Sequence, residues 1–122
     1  MSAGFRCKQF YVAHDACAMK VSTDALLLGA WATLPKAGTA LDIGAGSGIL
    51  SLMLAQRLQK SGLNPLVYAV ELDQDAALQA QENVAASRWA AQIHVIQADI
   101  LTYAATDNQP ELGFELIISN PP

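Results

Sequence analysis

Four short apolar runs divide the chain: "TALDIG", "LVYAVEL", "QIHVIQAD" and "FELIIS". In each, apolar side chains stand at neighbouring rather than alternate positions, the signature of a strand buried on both faces. Between them the apolar period changes. Ser47 to Lys60 places Leu50, Leu54 and Leu58 four residues apart, and Gln74 to Ser87 does the same with Ala76, Ala80 and Val84, so both segments are predicted helices. Gly62, Asn64 and Pro65 supply the turn after the first of these helices. Ahead of this alternation, Phe5 to Val12 is aromatic and β-branched and predicts one or two short strands. "VSTDALLLGAWA" then predicts a helix. Ser22 or Thr23 can cap it, Asp24 complements its dipole in the first turn, and Pro35 and Gly38 end it.

Alternating strands and helices with two-sided apolar strands imply an α/β, Rossmann-like fold, a parallel sheet flanked by helices on both sides. Residues 1–37 read as a strand–helix segment packing on the same domain that residues 38–122 begin. With 122 residues, 52% of them hydrophobic and 15% charged, the chain has the composition of one globular domain with its own core. The longest apolar candidate for a membrane span, Ala25 to Ala32, is far too short, and no three-part signal opens the chain; a cytoplasmic location is expected. Cys7 and Cys17 match no metal spacing and are expected to be free thiols.

The net charge of −4 argues against a nucleic-acid partner, but the two halves differ. Residues 1–60 carry Arg6, Lys8, Lys20, Lys36, Arg57 and Lys60 against Asp15, Asp24 and Asp42; residues 61–122 carry Arg88 against eight acids. A phosphate-contacting surface fits the N-terminal half, and so does an ordinary solvated one.

The first strand of the alternation runs into "LDIGAGSG". Gly44, Gly46 and Gly48 at alternate positions allow a tight turn and a close ligand approach, more than a simple strand–helix turn requires. The dinucleotide pattern G-x-G-x-x-G fails, because its third glycine falls on Ile49 or Ser51, and no Lys-Ser/Thr pair completes a phosphate loop. The spacing D-x-G-x-G-x-G resembles the S-adenosyl-L-methionine loop of class I methyltransferases. That resemblance implies that Glu71, ending the second strand of the alternation, accepts hydrogen bonds from ribose hydroxyls, and that Asp99, ending the third, grips the adenine amino group. All three features fall at the carboxyl ends of adjacent strands, where open α/β sheets bind ligands. Asp42 either reaches the cofactor's ammonium through water or anchors the loop. Asp73 and Asp75 read as helix N-terminal residues.

After the last apolar run comes "SNPP". It resembles the start of the N-P-P-Y/F motif of methyltransferases acting on nitrogens conjugated to a π system. Such an amine is a weak nucleophile because its lone pair is delocalised. The resemblance implies that the Asn120 side-chain oxygen and the Pro121 carbonyl each accept one N–H, with Pro122 stiffening the turn. Neither a metal nor a covalent intermediate is needed. The aromatic fourth residue of the motif is absent from this chain. In class I methyltransferases further strands follow, so the chain is expected to correspond to the first half of such a domain, inactive and poorly soluble alone.

"FRCKQFYVAHDACAMKVSTDALLLGAWA", together with the loop, "AVELDQDAALQAQENV", "QADI" and "FELIISNPP", closely resembles the bacterial tRNA1(Val) (adenine(37)-N6)-methyltransferase family over nearly the whole chain. The resemblance implies an S-adenosyl-L-methionine cofactor, a tRNA substrate methylated on an adenine N6, and Lys20, Thr23 and Asp24 near the methionine end of the cofactor; the sequence does not give the oligomeric state, a monomer being the expectation for the full-length protein. Ala16 stands where the family would carry Arg, and Ser22 where it would carry Gly. His14 and His94 read as structural, Trp31 and Trp89 as core or helix-packing residues, and Phe5, Phe10 and Tyr11 as strand packing. Three alternatives remain open: a glutamine N5-methyltransferase of peptide-release factors, which shares N-P-P-Y; a DNA adenine methyltransferase; and a non-catalytic S-adenosyl-L-methionine-binding module.

Overall fold

A computed structural model describes residues 4–6, 11–13, 23–34, 36, 38–106, 110 and 113–119. The predicted N-terminal strands are β1 (Gly4–Arg6) and β2 (Tyr11–Ala13), paired antiparallel with Phe5 opposite Val12. Helix α1 spans Thr23–Trp31. The alternation follows as β3 (Thr39–Ile43), α2 (Ile49–Lys60), β4 (Leu66–Glu71), α3 (Gln74–Ala85), β5 (Ile93–Gln97), a short α4 (Ile100–Ala104) and β6 (Leu116–Ser119). Strands β5, β4, β3 and β6 form one sheet in that order, every pair parallel.

The pleat assigns each strand residue to a face. On one side Ala40, Val67, Ile93 and Ile118 join Leu52, Leu54 and Leu58 of α2 and Val84 of α3 in the larger core, with Ala25 and part of α1 packed on it. Gly29 lets α1 approach the Met53 side chain of α2 closely. On the other side Leu41, Val70 and Tyr103 form a smaller core edged by Tyr68, Ile96 and Phe114, with Phe114 meeting the Tyr68 ring edge-on at 5.4 Å. Both sides of the sheet carry helices, as the two-sided apolar strands imply, but unequally. Among the described residues α1, α2 and α3 cover one face, and only α4 the other. At the β6 edge, Ile118 is buried and Ile117 is 61% exposed.

The predicted helix boundaries shift by a turn or less. Helix α2 starts at Ile49 rather than Ser47, because Gly48 still holds the loop's left-handed conformation (φ 89°). It closes with Gly62 N–H donating to the Gln59 carbonyl and Leu63 N–H to the Leu58 carbonyl, the paired bonds of a Schellman end, while Arg57 and Lys60 complement its dipole. Helix α3 is capped by Asp73, whose side chain accepts the Ala76 N–H at 2.9 Å, and Asp75 lies in its first turn, the structural roles expected of both acids. One expectation fails outright: Trp31 is 77% exposed. It is the last residue of α1 and stays outside the larger core, although Leu28 before it and Ala32 and Leu34 after it pack there. Trp89 is fully buried and donates its indole N–H to Gln59 Oε1 at 2.8 Å, and His94 lies exposed on β5 beside the Tyr68 ring.

Candidate ligand cleft

Three parallel strands end together, and the loops leaving them build one cleft. From β3 the chain turns through Gly44, Gly46 and Gly48, with φ of 70°, 55° and 89°. Residues with a Cβ rarely adopt this left-handed conformation. A Cβ at Gly44 or Gly46 would meet no atom within 4 Å, so the loop faces open space there and any side chain would fill that space. At Gly48 the reason differs, since Ala80 of α3 lies 3.5 Å from where its Cβ would stand.

The loop is tied down by β4 and α3. Gly44 and Ala45 donate to the Val70 carbonyl at 2.8 and 3.2 Å. Gly46 N–H donates to Glu71 Oε1 at 2.7 Å, and the other oxygen of Glu71 accepts Asp73 N–H at 2.9 Å. Asn83 donates its side-chain amide to the Ser47 carbonyl at 2.8 Å, with both residues buried. Beneath the loop, Asp42 is inaccessible to solvent and accepts the Ser51 hydroxyl through Oδ2 at 2.8 Å. Its Oδ1 has no hydrogen-bond partner among the described residues. Burial pushes this carboxyl up from 3.8 to about 7; the Ser51 hydrogen bonds oppose that shift and the Glu71 charge adds to it. The side-chain partner observed for Asp42 is Ser51, in the first turn of α2.

The cleft, about 160 Å³, is lined by Gly44, Glu71, Leu72, Asp99 and Ile100 among others. The three predicted elements, loop, Glu71 and Asp99, are therefore brought together. Asp99 is exposed and also caps α4, accepting Leu101 N–H through Oδ1 at 2.8 Å. A carboxylate has about four lone-pair sites, so the bonds that Glu71 and Asp99 make to backbone leave capacity for ligand hydroxyl or amino groups. Leu72, 66% exposed, gives the cleft an apolar wall suited to a planar ring. Sequence reasoning passed over Leu72, Ser51 and Asn83. The only signal for Asn83 was its place three residues after Ala80 on the buried stripe of α3.

Thr23 and Asp24 open α1, but their side chains, and Lys20, Asn120, Pro121 and Pro122 altogether, lie outside the described residues. So do Cys7, Phe10, His14, Ala16, Cys17 and Ser22. Among the described residues no group of three or more His, Cys, Asp or Glu side chains could hold a metal ion, and no helix is long and apolar enough to cross a membrane.

A family model described as methyltransferase small domain matches residues 18–122. Among curated proteins, the chain is 55% identical over 120 residues to a tRNA1(Val) (adenine(37)-N6)-methyltransferase of Erwinia tasmaniensis, covering 98% of this chain and 46% of that protein. It is 58% identical over 119 residues to the protein of the same name from Cronobacter sakazakii, again 98% and 46%. The chain thus spans a little under half the length of these relatives. Among solved structures, an S-adenosylmethionine-dependent methyltransferase of Thiobacillus denitrificans in complex with S-adenosyl-L-homocysteine superposes with a TM-score of 0.60 at 21% identity, over 89% of this chain and 39% of that one. At that identity the likeness is one of fold.

Proposed function

The chain belongs to the methyltransferase small domain family, and from that membership we propose that it binds S-adenosyl-L-methionine and serves methyl transfer to the exocyclic N6 of an adenine in tRNA, adenine 37 of tRNA1(Val) by likeness to its relatives. The observation that carries the reading is the convergence of Gly44, Glu71 and Asp99 on one cleft at the carboxyl ends of adjacent parallel strands.

The cleft fits the cofactor. Glu71 accepts the ribose hydroxyls with the lone pairs that Gly46 and Asp73 leave free, and Asp99 accepts the adenine amino group. Leu72 and Ile100 pack against the base, and the bare backbone at Gly44 and Gly46 lets the ligand lie against the loop. Lys20, Thr23 and Asp24 serve the methionine end. When bound, S-adenosyl-L-methionine supplies an electrophilic methyl group. The Asn120 side-chain oxygen and the Pro121 carbonyl accept the two N–H groups of the adenine amine, turning its lone pair out of conjugation, and Pro122 holds that carbonyl's direction. A proton leaves the methylated amine to water. The protein works in the cytoplasm, and the basic N-terminal half faces the tRNA.

Calorimetric titration with S-adenosyl-L-homocysteine against NAD tests the cofactor: saturable binding of the first alone is expected, and binding of NAD alone would overturn the reading. For the reaction, the chain is joined to the remaining sequence of the Erwinia tasmaniensis relative and incubated with methyl-labelled S-adenosyl-L-methionine and unmodified tRNA. Labelled N6-methyladenosine that is lost in Asn120→Ala is expected. Label in a release-factor glutamine instead would replace tRNA with a protein substrate.

A further inference from the structure

We propose that Asn83 is a positioning residue for the ligand loop, acting from α3 on the Ser47–Gly48 peptide. The inference rests on the cofactor reading above and adds a residue that makes no ligand contact to its machinery.

Both ends of that peptide unit are held. Its carbonyl accepts the Asn83 amide at 2.8 Å, and its N–H, from Gly48, donates to the Ala45 carbonyl at 2.9 Å. The unit adjoins Gly48, where no Cβ restrains rotation, so fixed hydrogen bonds must do what a side chain does elsewhere. Asn83 and Ala80 lie three residues apart on α3, and Ala80 supports the loop directly beneath Gly48. The start of α3 is coupled to the same loop. Asp73 N–H donates to one oxygen of Glu71, and the other oxygen of Glu71 accepts Gly46 N–H. The crown of the loop is therefore gripped from two points of one helix, through Glu71 at Gly46 and through Asn83 at Ser47. Asn83 is buried and is not among the residues that line the cleft, so the link it offers to the cleft is its bond to the loop. Removing it leaves a buried carbonyl without its donor, and such a peptide turns to find another partner. The loop then presents the wrong surface to the ligand although β3, α2 and α3 still pack.

The test compares wild type, Asn83→Ala and, as a control on the exposed face of α3, Gln81→Ala. Calorimetry with S-adenosyl-L-homocysteine sets aside irreversibly damaged protein, which lowers the binding stoichiometry, whereas a displaced loop weakens the Kd of the molecules that bind; reversible global unfolding would weaken the apparent Kd too, and is read from exchange at β5. The expected result is a Kd weakened about tenfold or more at unchanged stoichiometry in Asn83→Ala, about 1.4 kcal/mol or more, with Gln81→Ala at the wild-type value. Amide hydrogen exchange on the ligand-free proteins gives a second readout. Exchange across residues 44–49 rises about tenfold in Asn83→Ala while β5 is unchanged. Should Asn83→Ala not fold, Asn83→Gln, which keeps the amide on a longer arm, carries both comparisons. A Kd and loop exchange within twofold of wild type would overturn the proposal. Absence of binding by the wild type would overturn the cofactor reading instead, and the exchange comparison alone would then decide the role of Asn83.

Discussion

Asp42 offers the sharpest physical test, because its protonation links the fold of the loop to pH. The carboxyl sits on β3 under α2 with no solvent access, one oxygen on Ser51 and the other without a partner among the described residues. Burial holds its proton up to about 7, against 3.8 for an exposed group. A raised folded-state pKa means that the native protein binds a proton the unfolded chain has already released. Its stabilising effect is complete below about pH 3.8, declines as pH rises and is gone once pH passes about 7. Over that window the interval corresponds to roughly 4 kcal/mol, a large share of a small domain's total stability. The perturbation is Asp42→Asn, which keeps an oxygen for the Ser51 hydroxyl and a near-identical volume but cannot ionise. It places an amide where Oδ1 stood, a fixed cost of about 1–3 kcal/mol for an unpaired buried donor. That cost does not depend on pH; the wild-type slope does. Urea unfolding followed by circular dichroism between about pH 5 and about pH 8 should show the variant gaining roughly 3 kcal/mol on the wild type across the series. A gap that stays constant to within about 0.5 kcal/mol would refute the placement of Asp42 as a buried, protonated carboxyl.

Three further outcomes follow from the same geometry. Glu71→Ala should weaken S-adenosyl-L-homocysteine binding ten- to a hundredfold, about 1.5–3 kcal/mol, read by calorimetry, and an unchanged Kd would remove Glu71 from the site. Gly46→Ala should still fold, since its methyl group meets no atom within 4 Å, at about 1–2 kcal/mol for the left-handed backbone, yet lose far more in ligand affinity than in stability; equal losses in a paired melting and binding experiment would sink the idea that this space belongs to the ligand. Trp89→Ala should cost about 3–5 kcal/mol in urea unfolding, because the ring is fully buried and its N–H is held by Gln59; a cost under about 1 kcal/mol would deny it a core role.

The elements that sequence patterning located are those whose burial is decided locally. Val67, Ala69 and Val70 sit between two neighbouring strands and cannot avoid the core, so a continuous apolar run was enough to locate β4. Ala76, Ala80 and Val84 mark the inner stripe of α3 for the same reason. Where burial depends on a partner distant in the chain, the pattern failed. Trp31 has the composition of a core residue, but the chain gives Leu28, and Ala32 and Leu34 beyond it, to the core and leaves Trp31 in solvent. Helix α4 is five residues long, too short for a period to register, and its one clear sign was Asp99 followed by an apolar pair, the mark of a cap.

The site shows the same division more finely. Glycines at alternate positions after a strand, and acids at the ends of the next two, are visible as letters because backbone geometry restricts which residue types can stand there. What those acids do is counted in lone pairs, which letters do not record. Glu71 holds the loop and its own turn, and Asp99 caps a helix, before either meets a ligand. Each thus has a structural partner and lines the cleft as well, and the either-or framing natural to sequence reading does not apply to them. Asn83 is the reverse case. A polar letter inside a helix reads as solvent-facing, yet it is buried because the loop it serves, 36 residues earlier, offers a carbonyl that nothing local could satisfy. In a parallel sheet the loop after one strand is completed by the strand and helix that follow it. The residues that shape a ligand loop must therefore be sought one crossover downstream of the motif that announces it.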